Sequence, residues 1–271
     1  MNASSPPPFL GLAGEALRWS LLRELARSDR RVGELVAAVD QRQSLVSYHL
    51  GKLRTGGLVT ARRSSADGRD TYYGLDLVRC TALLTETALA LHPGLRLRPA
   101  AETTVDNTVS TTVHSTVDTP GADTVTGRVL FLCTGNSARS QMAEALLTAR
   151  ASRIEVFSAG SHPKPLHPNA VEVMREYGID LSGHRSKHVD EFAGQPFDYV
   201  ISLCDRVREV CPELPGHPRL VHWSMPDPSA AGDTHAASLP AFRRTAAVLA
   251  LRIGYLLQTI AHDNEREVPQ A

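Results

Sequence analysis

The chain of 271 residues is 42% hydrophobic and 21% charged, which is an ordinary globular composition and long enough for two domains. No apolar run approaches the length of a membrane span, and the first residues carry no signal-peptide pattern, so we expect a cytoplasmic protein without a membrane segment. Four cysteines are too few for a disulfide scaffold in a chain of this length. In a reducing compartment they favour catalytic or metal chemistry.

The net charge is zero, but it is unevenly distributed. Residues 1–98 carry 14 Lys and Arg against 9 Asp and Glu, a net charge of +5. Residues 99–126 carry 4 Asp and Glu and no Lys or Arg, and residues 127–271 carry 15 Lys and Arg against 16 Asp and Glu. The basic first segment is therefore the part expected to contact a polyanion. The eleven His residues are scattered along the chain and no metal site is predicted from them.

Hydrophobic periodicity predicts three helices in the basic segment, over Glu15–Arg27, Gly33–Val39 and Ser44–Thr55. Two strands follow, Leu58–Arg63 and Thr71–Leu75, joined through an Asp-Gly turn. A helix, a turn, a polar-faced helix and a basic hairpin are the parts of a winged helix-turn-helix, a mostly α domain with a β-hairpin wing. We assign residues 1–98 to this domain.

The segment Ser44 to Tyr73 resembles the ArsR family of bacterial repressors in its pattern Ser-x2-Ser-x-His-Leu-x2-Leu-x3-Gly-Leu-Val, and the resemblance covers residues 12–92. It implies binding to double-stranded DNA. The residues that would face the major groove are Gln43, Ser44, Ser47, Tyr48 and His49. The residues that would meet phosphates or the minor groove are Lys52, Arg54, Arg62, Arg63 and Arg69. The alternative for the arginines is a solvated surface.

A predicted helix over Asp76–His92 is expected to pair with its twin in a homodimer, because one winged helix makes too few phosphate contacts for tight binding at physiological salt. Metalloid-sensing members of the resembled family often carry Cys-x-Cys in the second helix, where Glu34–Ala38 here reads Glu-Leu-Val-Ala-Ala. Trivalent arsenic needs two or three sulfur ligands, and this domain offers only Cys80, which we interpret as a core residue. Arsenite sensing at the usual place is therefore not expected.

Residues 99–126 are rich in Thr and Val, with Val105, Val109, Val113 and Val117 recurring every four positions. Thr and Val are poor helix formers and nothing caps the ends, so we interpret the segment as a flexible low-complexity linker. A short edge strand is the alternative.

The most informative segment is Val129 to Ser140, an apolar strand that ends at Cys133 and is followed six positions later by Arg139 and then by a helix over Gln141–Leu147. Backbone N–H groups of such a loop and helix N-terminus converge on an oxyanion, and the arginine can bind it bidentately. The same field favours the thiolate of Cys133, the form that attacks. The predicted oxyanion-binding residues are Thr134, Gly135, Asn136, Ser137, Ala138, Arg139 and Ser140. The alternative is a core strand with an inert cysteine.

The segment Cys133 to Glu144 resembles the anion loop of the low-molecular-weight tyrosine phosphatase superfamily, especially its arsenate reductase branch, and the likeness extends over residues 127–262. It implies an α/β domain with a central parallel sheet, which we assign to residues 127–271. The resemblance also implies that Asn136 holds the loop in shape and that Ser140 hydrogen-bonds the nucleophilic sulfur. Ala138 replaces a cysteine that many of these reductases carry outside their electron relay. An amphipathic helix over Leu239–Ile260 is expected to pack on the sheet.

Cys204 follows a second predicted strand, and Cys211 comes seven positions later, before a proline. The resembled reductases have this pair and the phosphatases do not need it, so the likeness implies a relay in which Cys133, Cys204 and Cys211 pass a disulfide outward. In an intact helix, residues seven apart lie about 10.5 Å apart, whereas a disulfide needs a Cα distance of about 4.4–6.8 Å. If the pair lies on a helix when reduced, that helix must unwind on oxidation. Two structural thiols are the alternative.

Asp227 lies in the only Asp-Pro of the chain, and the resemblance implies that it is the general acid over the anion pocket. Where the phosphatases have an aromatic residue after Asp-Pro, this chain has Ser229-Ala230, which argues against an aryl phosphate. Some of the resembled reductases bind potassium beside the anion loop. One position of that site is occupied here by Lys187, so we hypothesise that Lys187 pairs with Glu144 and makes potassium unnecessary.

Together these patterns predict an arsenate reductase fused to a DNA-binding regulator. The substrate is arsenate, with phosphate as a possible ligand; no bound cofactor is expected, and the reductant is an external thiol such as thioredoxin, or mycothiol with a glutaredoxin-like partner. Two alternatives stay open. One is a tyrosine phosphatase fused to a DNA-binding domain, and the other is a transcriptional regulator that senses an oxyanion without turnover.

Overall fold

The computed structural model describes residues 6–95, 125–210 and 218–267, and these form two compact units. The predicted linker lies outside the described residues except for its last two, and Cys211 lies outside them as well. None of the described helices is both long and apolar enough to cross a membrane.

The first unit contains five helices and a small antiparallel sheet of strand order β1-β3-β2. The predicted helices and hairpin are confirmed to within two residues at each end, whereas α1 and β1 were not predicted, because six and two residues carry too little periodicity. Its elements are α1 (Pro8–Ala13), α2 (Ala16–Arg27), β1 (Arg30–Arg31), α3 (Val32–Val39), α4 (Gln43–Thr55), β2 (Val59–Arg63), β3 (Thr71–Leu75) and α5 (Leu77–Leu91).

Side-chain caps fix where two of these helices begin. The carboxylate of Glu15 accepts hydrogen bonds from the first turn of α2, and that of Asp76 accepts one from Arg79 N at the start of α5. Asp40 ends α3 in the left-handed conformation with φ 49°, which short polar side chains tolerate, and the chain then turns into α4. The apolar faces of the helices meet in one core that includes Leu21, Leu25, Leu35, Leu50, Leu53 and Leu83.

The second unit is an α/β domain with a four-stranded sheet of order β5-β4-β6-β7, in which β4 is parallel to both β5 and β6. The predicted α/β class is confirmed. The elements are β4 (Gly127–Cys133), α6 (Arg139–Thr148), β5 (Ile154–Gly160), α7 (Pro168–Glu176), β6 (Tyr199–Ser202), α8 (Asp205–Val210), β7 (Arg219–His222) and α9 (His235–Glu267). Two short 3₁₀ turns, Val189–Phe192 and Pro228–Ala231, complete it.

The C-terminal helix is longer than its apolar stripe indicated. The periodicity predicted Leu239–Ile260, and α9 extends beyond both ends of that range. The residues of the predicted stripe are buried, including Leu249 and Ile253, and α9 packs against α6 and α7. Burial of this stripe supports the middle of the helix, while its polar ends add turns that the hydrophobic pattern does not reveal.

Candidate active site and recognition helix

Two cysteines lie where neighbouring parallel strands end. Leu132 of β4 pairs in register with Ser202 of β6. Cys133, the last residue of β4, and Cys204, two residues after the end of β6, therefore lie at the same edge of the sheet. Both thiols are free and only 2% exposed. The hydroxyl of Thr134 lies 3.2 Å from the sulfur of Cys204, which brings the second cysteine against the anion loop of the first.

Hydrogen-bond donors surround the sulfur of Cys133. Asn136 N donates to this sulfur at 3.2 Å, and Ser140 Oγ lies 2.9 Å from it. Asn136 Nδ2 donates to Ser140 Oγ at 2.9 Å, which leaves the hydroxyl proton of Ser140 free to point at the sulfur. Both contacts place polar groups directly against the sulfur, as a cysteine that attacks an oxyanion requires. The roles suggested for Asn136 and Ser140 fit this geometry.

Asn136 occupies the centre of the loop in the left-handed conformation, with φ 44°. Its side chain is fully buried, and it donates to Ser158 Oγ at 2.7 Å while its Oδ1 accepts from Gln141 Nε2 at 3.0 Å and from Lys187 N at 2.7 Å. An Asn tolerates positive φ better than most residues. Three further neighbours therefore fix the residue that gives the loop its shape.

The carbonyl groups of the anion loop all have partners outside the pocket. The peptides are trans, so each carbonyl points away from the N–H of the same peptide plane. With the carbonyls bonded to surrounding segments, the N–H groups of the loop turn toward a common centre, as an oxyanion requires. The five bonds are His162 N to Thr134 O, Lys164 N to Gly135 O, Ser186 Oγ to Asn136 O, His167 N to Ser137 O and Met142 N to Ala138 O.

Gly160, the last residue of β5, makes this close packing possible. A Cβ on Gly160 would lie 2.6 Å from Thr134 O and 2.8 Å from Asn136 N, both backbone atoms that cannot move aside. Only glycine lets β5 approach the loop this closely.

Arg139 and Asp227 complete the pocket. Arg139 is buried, donates to Met225 O at 3.0 Å, and lies 3.2 Å from Asp227 Oδ2. Partial burial alone would raise the pKa of Asp227, but Arg139, two hydrogen bonds from Ser229 and the charge of Lys164 outweigh it, so the pKa is lowered. The carboxyl group is therefore ionised in the free protein, and it holds the arginine that an oxyanion would need.

The predicted ion pair between Lys187 and Glu144 is confirmed. Lys187 Nζ lies 3.1 Å and 3.2 Å from the two carboxylate oxygens, and the side chains are only 15% and 14% exposed. Ser158 Oγ also donates to Glu144, and the same Ser158 accepts from Asn136. The ion pair thus connects directly to the hydrogen bonds that shape the anion loop.

Four residues of the predicted DNA-facing set project from α4 into solvent. Gln43, Ser44, Ser47 and Tyr48 are exposed, and Lys52 Nζ lies over the Tyr48 ring at 5.4 Å from its centroid. Of the predicted phosphate contacts, Lys52, Arg54, Arg63 and Arg69 are exposed and Arg62 is half-buried. Arg63 donates to Gly68 O at the tip of the wing.

The expectation that His49 faces DNA is not met. His49 is 9% exposed and lies on the core side of α4, with Nδ1 3.4 Å from Glu15 Oε2. It falls three residues after Val46 and four before Leu53, both fully buried, and so occupies the apolar stripe of the helix. That spacing was legible in the sequence, and it indicates a core position.

Sequence reasoning also missed the segment that supports the anion loop. His162, Lys164 and His167 act through their backbone N–H groups, which every residue but proline carries, so no motif marks them. His167 also caps α7, because its Nδ1 accepts a hydrogen bond from Asn169 N. Among the described residues no group of three or more His, Cys, Asp or Glu could hold a metal ion.

A buried cysteine in an amide-lined loop, followed by an arginine and faced by an aspartate, defines an oxyanion-binding domain with a cysteine nucleophile. Comparison with known proteins agrees. Residues 128–266 match the family described as low molecular weight phosphotyrosine protein phosphatase, and residues 17–61 match the bacterial regulatory protein, arsR family. The chain belongs to the low-molecular-weight phosphotyrosine protein phosphatase family and carries an ArsR-family helix-turn-helix region ahead of that domain.

Several relatives of the second unit are known as arsenate reductases. One from Halalkalibacterium halodurans is 39% identical over 132 residues, which are 48% of this chain and 95% of that protein. Another, from Bacillus subtilis, is 39% identical over 117 residues, 43% of this chain and 84% of that protein. Among solved structures, the chain is similar to an arsenate reductase in the phosphate binding state, at 33% identity and a TM-score of 0.41, over 49% of this chain and 98% of that one.

Proposed function

We propose that the second unit reduces arsenate to arsenite with three cysteines, and that the first unit binds double-stranded DNA. The observation that carries the enzymatic part is the 3.2 Å contact between Thr134 Oγ1 and the sulfur of Cys204. A phosphatase needs one nucleophilic cysteine, and a second buried, free thiol held against the anion loop has no task in phosphate ester hydrolysis. A thiol-dependent reduction needs that second sulfur.

The first step is attack of the Cys133 thiolate on arsenic. A sulfur–arsenic bond forms and one oxygen leaves as water, taking a proton from Asp227. Arg139 and the loop N–H groups hold the remaining oxygens. Asp227 is ionised in the free protein, so it must gain a proton once the oxyanion has displaced it from Arg139 and added negative charge beside it; both changes raise the pKa of the carboxyl group.

The second step transfers the electrons. The Cys204 thiolate attacks the sulfur of Cys133, a disulfide forms, and the electron pair of the sulfur–arsenic bond passes to arsenic, which leaves as arsenite. Cys211 then attacks Cys204, which frees Cys133 and moves the disulfide to the 204–211 pair. An external dithiol, of the thioredoxin type or mycothiol with a glutaredoxin-like partner, reduces that disulfide. Cys204 directly precedes α8. If the helix continues through Cys211, it must unwind when the 204–211 disulfide forms.

Arsenate-dependent NADPH oxidation with thioredoxin and thioredoxin reductase tests this proposal. Replacing Cys133, Cys204 or Cys211 by Ser should each abolish turnover. Cys80→Ser is the matched control, because Cys80 packs in the first unit, and it should turn over normally. Hydrolysis of p-nitrophenyl phosphate that is efficient in the wild type and unaffected by Cys204→Ser, without arsenate reduction, would instead establish the phosphatase.

For the first unit, we propose that α4 enters the major groove and that two copies of the chain pair through α1 and α5. The basic charge of residues 1–98 and the exposed polar side chains of α4 support DNA binding. Pairing is supported by apolar side chains left exposed on these two mutually packed helices, namely Leu10, Val78, Leu84, Leu89 and Leu91.

Selection from a randomised duplex library should yield a two-fold symmetric site, because a symmetric dimer reads two half-sites. Sedimentation of the wild type should give a dimer, and Val78→Asp should give a monomer that has lost DNA binding. A monomeric wild type, or a selected sequence without symmetry, would contradict the proposed pairing.

A further inference from the structure

The charge of the oxyanion pocket does not balance without one more residue. In the free protein Cys133 and Asp227 each bring a negative charge when ionised, and Arg139, which pairs with Asp227, brings one positive charge. An arsenate or phosphate ion arrives at neutral pH with between about one and two further negative charges. With Arg139 as the only cation, the side chains and the bound anion would carry a net negative formal charge, which the uncharged N–H groups of the loop reduce only in part.

Lys164 lies where the missing charge is needed. Its backbone N–H donates to Gly135 O at 2.8 Å, and the aliphatic part of its side chain covers Gly135, whose missing Cβ would lie 3.6 Å from Lys164 Cδ. Ser186 Oγ lies 2.8 Å from Asn136 O and 2.5 Å from Lys164 O, so one hydroxyl ties Lys164 to the centre of the loop. The backbone of Lys164 is therefore fixed to the anion loop itself.

The ammonium group of Lys164 is also available. The residue is exposed, and among the residues that the structure describes no carboxylate lies within ion-pair distance of its Nζ. Its charge nevertheless acts on Asp227 and helps to lower the pKa of that carboxyl group. The other groups that face Asp227 are Arg139 from α6, His167 from the start of α7 and Ser229 from the following turn.

We propose that Lys164 is the second cation of the oxyanion site, and that it sets the affinity of the pocket for small, multiply charged oxyanions. This inference rests on the proposed function and deepens it. When the oxyanion draws Arg139 away from Asp227, Lys164 remains beside the loop. Its positive charge then offsets the negative charge of both the anion and the released carboxylate. Lys164 thus sets specificity, because its positive charge attracts a singly charged or bulky ester less strongly than a small, multiply charged oxyanion.

Protection of Cys133 against iodoacetamide by inorganic phosphate tests this without turnover, with the modified peptide quantified by mass spectrometry. Lys164→Met keeps an unbranched apolar side chain over Gly135 but removes the charge, so the phosphate concentration for half protection should rise about three- to tenfold. Lys164→Arg should restore it to within about twofold. Arg243→Met is the matched control for net charge, because Arg243 pairs with Glu176 outside the loop, and it should leave protection unchanged.

The turnover assay adds a measurement, the change in KM relative to kcat, that a purely structural role of Lys164 would not produce. In Lys164→Met the KM for arsenate should rise with little change in kcat, because charge attraction favours the bound anion before and during reaction alike. Removing the positive charge of Lys164 raises the pKa of Asp227. The alkaline limb of the pH–rate profile, which this general acid sets, should therefore move to higher pH.

The outcomes separate the two proposals. If phosphate protects the wild type and Lys164→Met equally well, the role of Lys164 is refuted while the oxyanion site stands. The role is likewise refuted if Lys164→Arg is as impaired as Lys164→Met, because the effect would then be packing and not charge. If phosphate fails to protect Cys133 in the wild type, both proposals are overturned.

Discussion

The buried ion pair beside the anion loop gives the sharpest stability prediction. Lys187→Met removes one partner and leaves the carboxylate of Glu144 with a single donor among the described residues, Ser158 Oγ. Two unit charges about 4 Å apart interact by about 4 kcal/mol at an effective dielectric constant of about 20. Breaking a buried pair by removing one partner costs about 3–5 kcal/mol. Because both side chains retain some exposure, we expect a loss of about 2–3 kcal/mol.

Thermal unfolding of the full chain measures this loss. For a protein of this size each kcal/mol lowers Tm by about 2–4 °C, so the transition of the second unit should fall by about 5–10 °C. The double variant Glu144→Gln with Lys187→Met removes both charges and should recover much of the difference, since it leaves no uncompensated ion. A Tm for Lys187→Met within about 1 °C of the wild type would refute the reasoning, as would a double variant no more stable than the single one.

The same pair predicts how the protein responds to monovalent cations. The ammonium group of Lys187 already compensates Glu144 and is held near the buried cluster that shapes the loop. Potassium should therefore raise neither activity nor Tm beyond an equal concentration of sodium. A clear, potassium-specific gain would show that a cation binds there despite the lysine.

Four further outcomes follow from the candidate active site, from Cys80 and from α4. Asp227→Asn should lower kcat by about 10²–10⁴-fold while Cys133 still reacts with iodoacetamide, as expected when only the acid is lost. In a single-turnover assay followed by mass spectrometry, Cys204→Ser should accumulate no intramolecular disulfide and release no arsenite. Burial, with the charge of Asp76, raises the pKa of Cys80 to about 11, so its alkylation should be much slower than that of Cys133 at pH 7.5 and should rise steeply above pH 9. Tyr48→Ala should weaken DNA binding without lowering Tm, because Tyr48 is exposed, whereas replacing the buried His49 should lower Tm. If both replacements lowered Tm equally and weakened DNA binding equally, the opposite orientations of the two side chains would be contradicted.

Several features of the protein could be predicted from the sequence because they depend on residues that are close together in the chain. A strand that ends at Cys133, a short loop and a helix that begins at Arg139 follow one another within a dozen residues, and short-range backbone geometry is enough to predict them. The same holds for the helices and the hairpin of the first unit, whose apolar spacing and Asp-Gly turn are set by neighbours in the chain. The pairing of Lys187 with Glu144 was predicted from the family resemblance and not from local pattern, and the geometry agrees.

Only the tertiary structure decided which groups surround these local elements. Three of the backbone N–H groups that bond the carbonyls of the anion loop come from a segment that begins more than twenty residues later, and a backbone donor has no sequence signature. Lys164 became a candidate anion-binding residue because the chain passes back beside Gly135. An exposed lysine in a loop does not by itself indicate a role in the site. For His49, the spacing from Val46 and Leu53 already indicates the apolar side of α4, and the tertiary structure adds the partner, Glu15, that lies beside its ring in the core of the first unit.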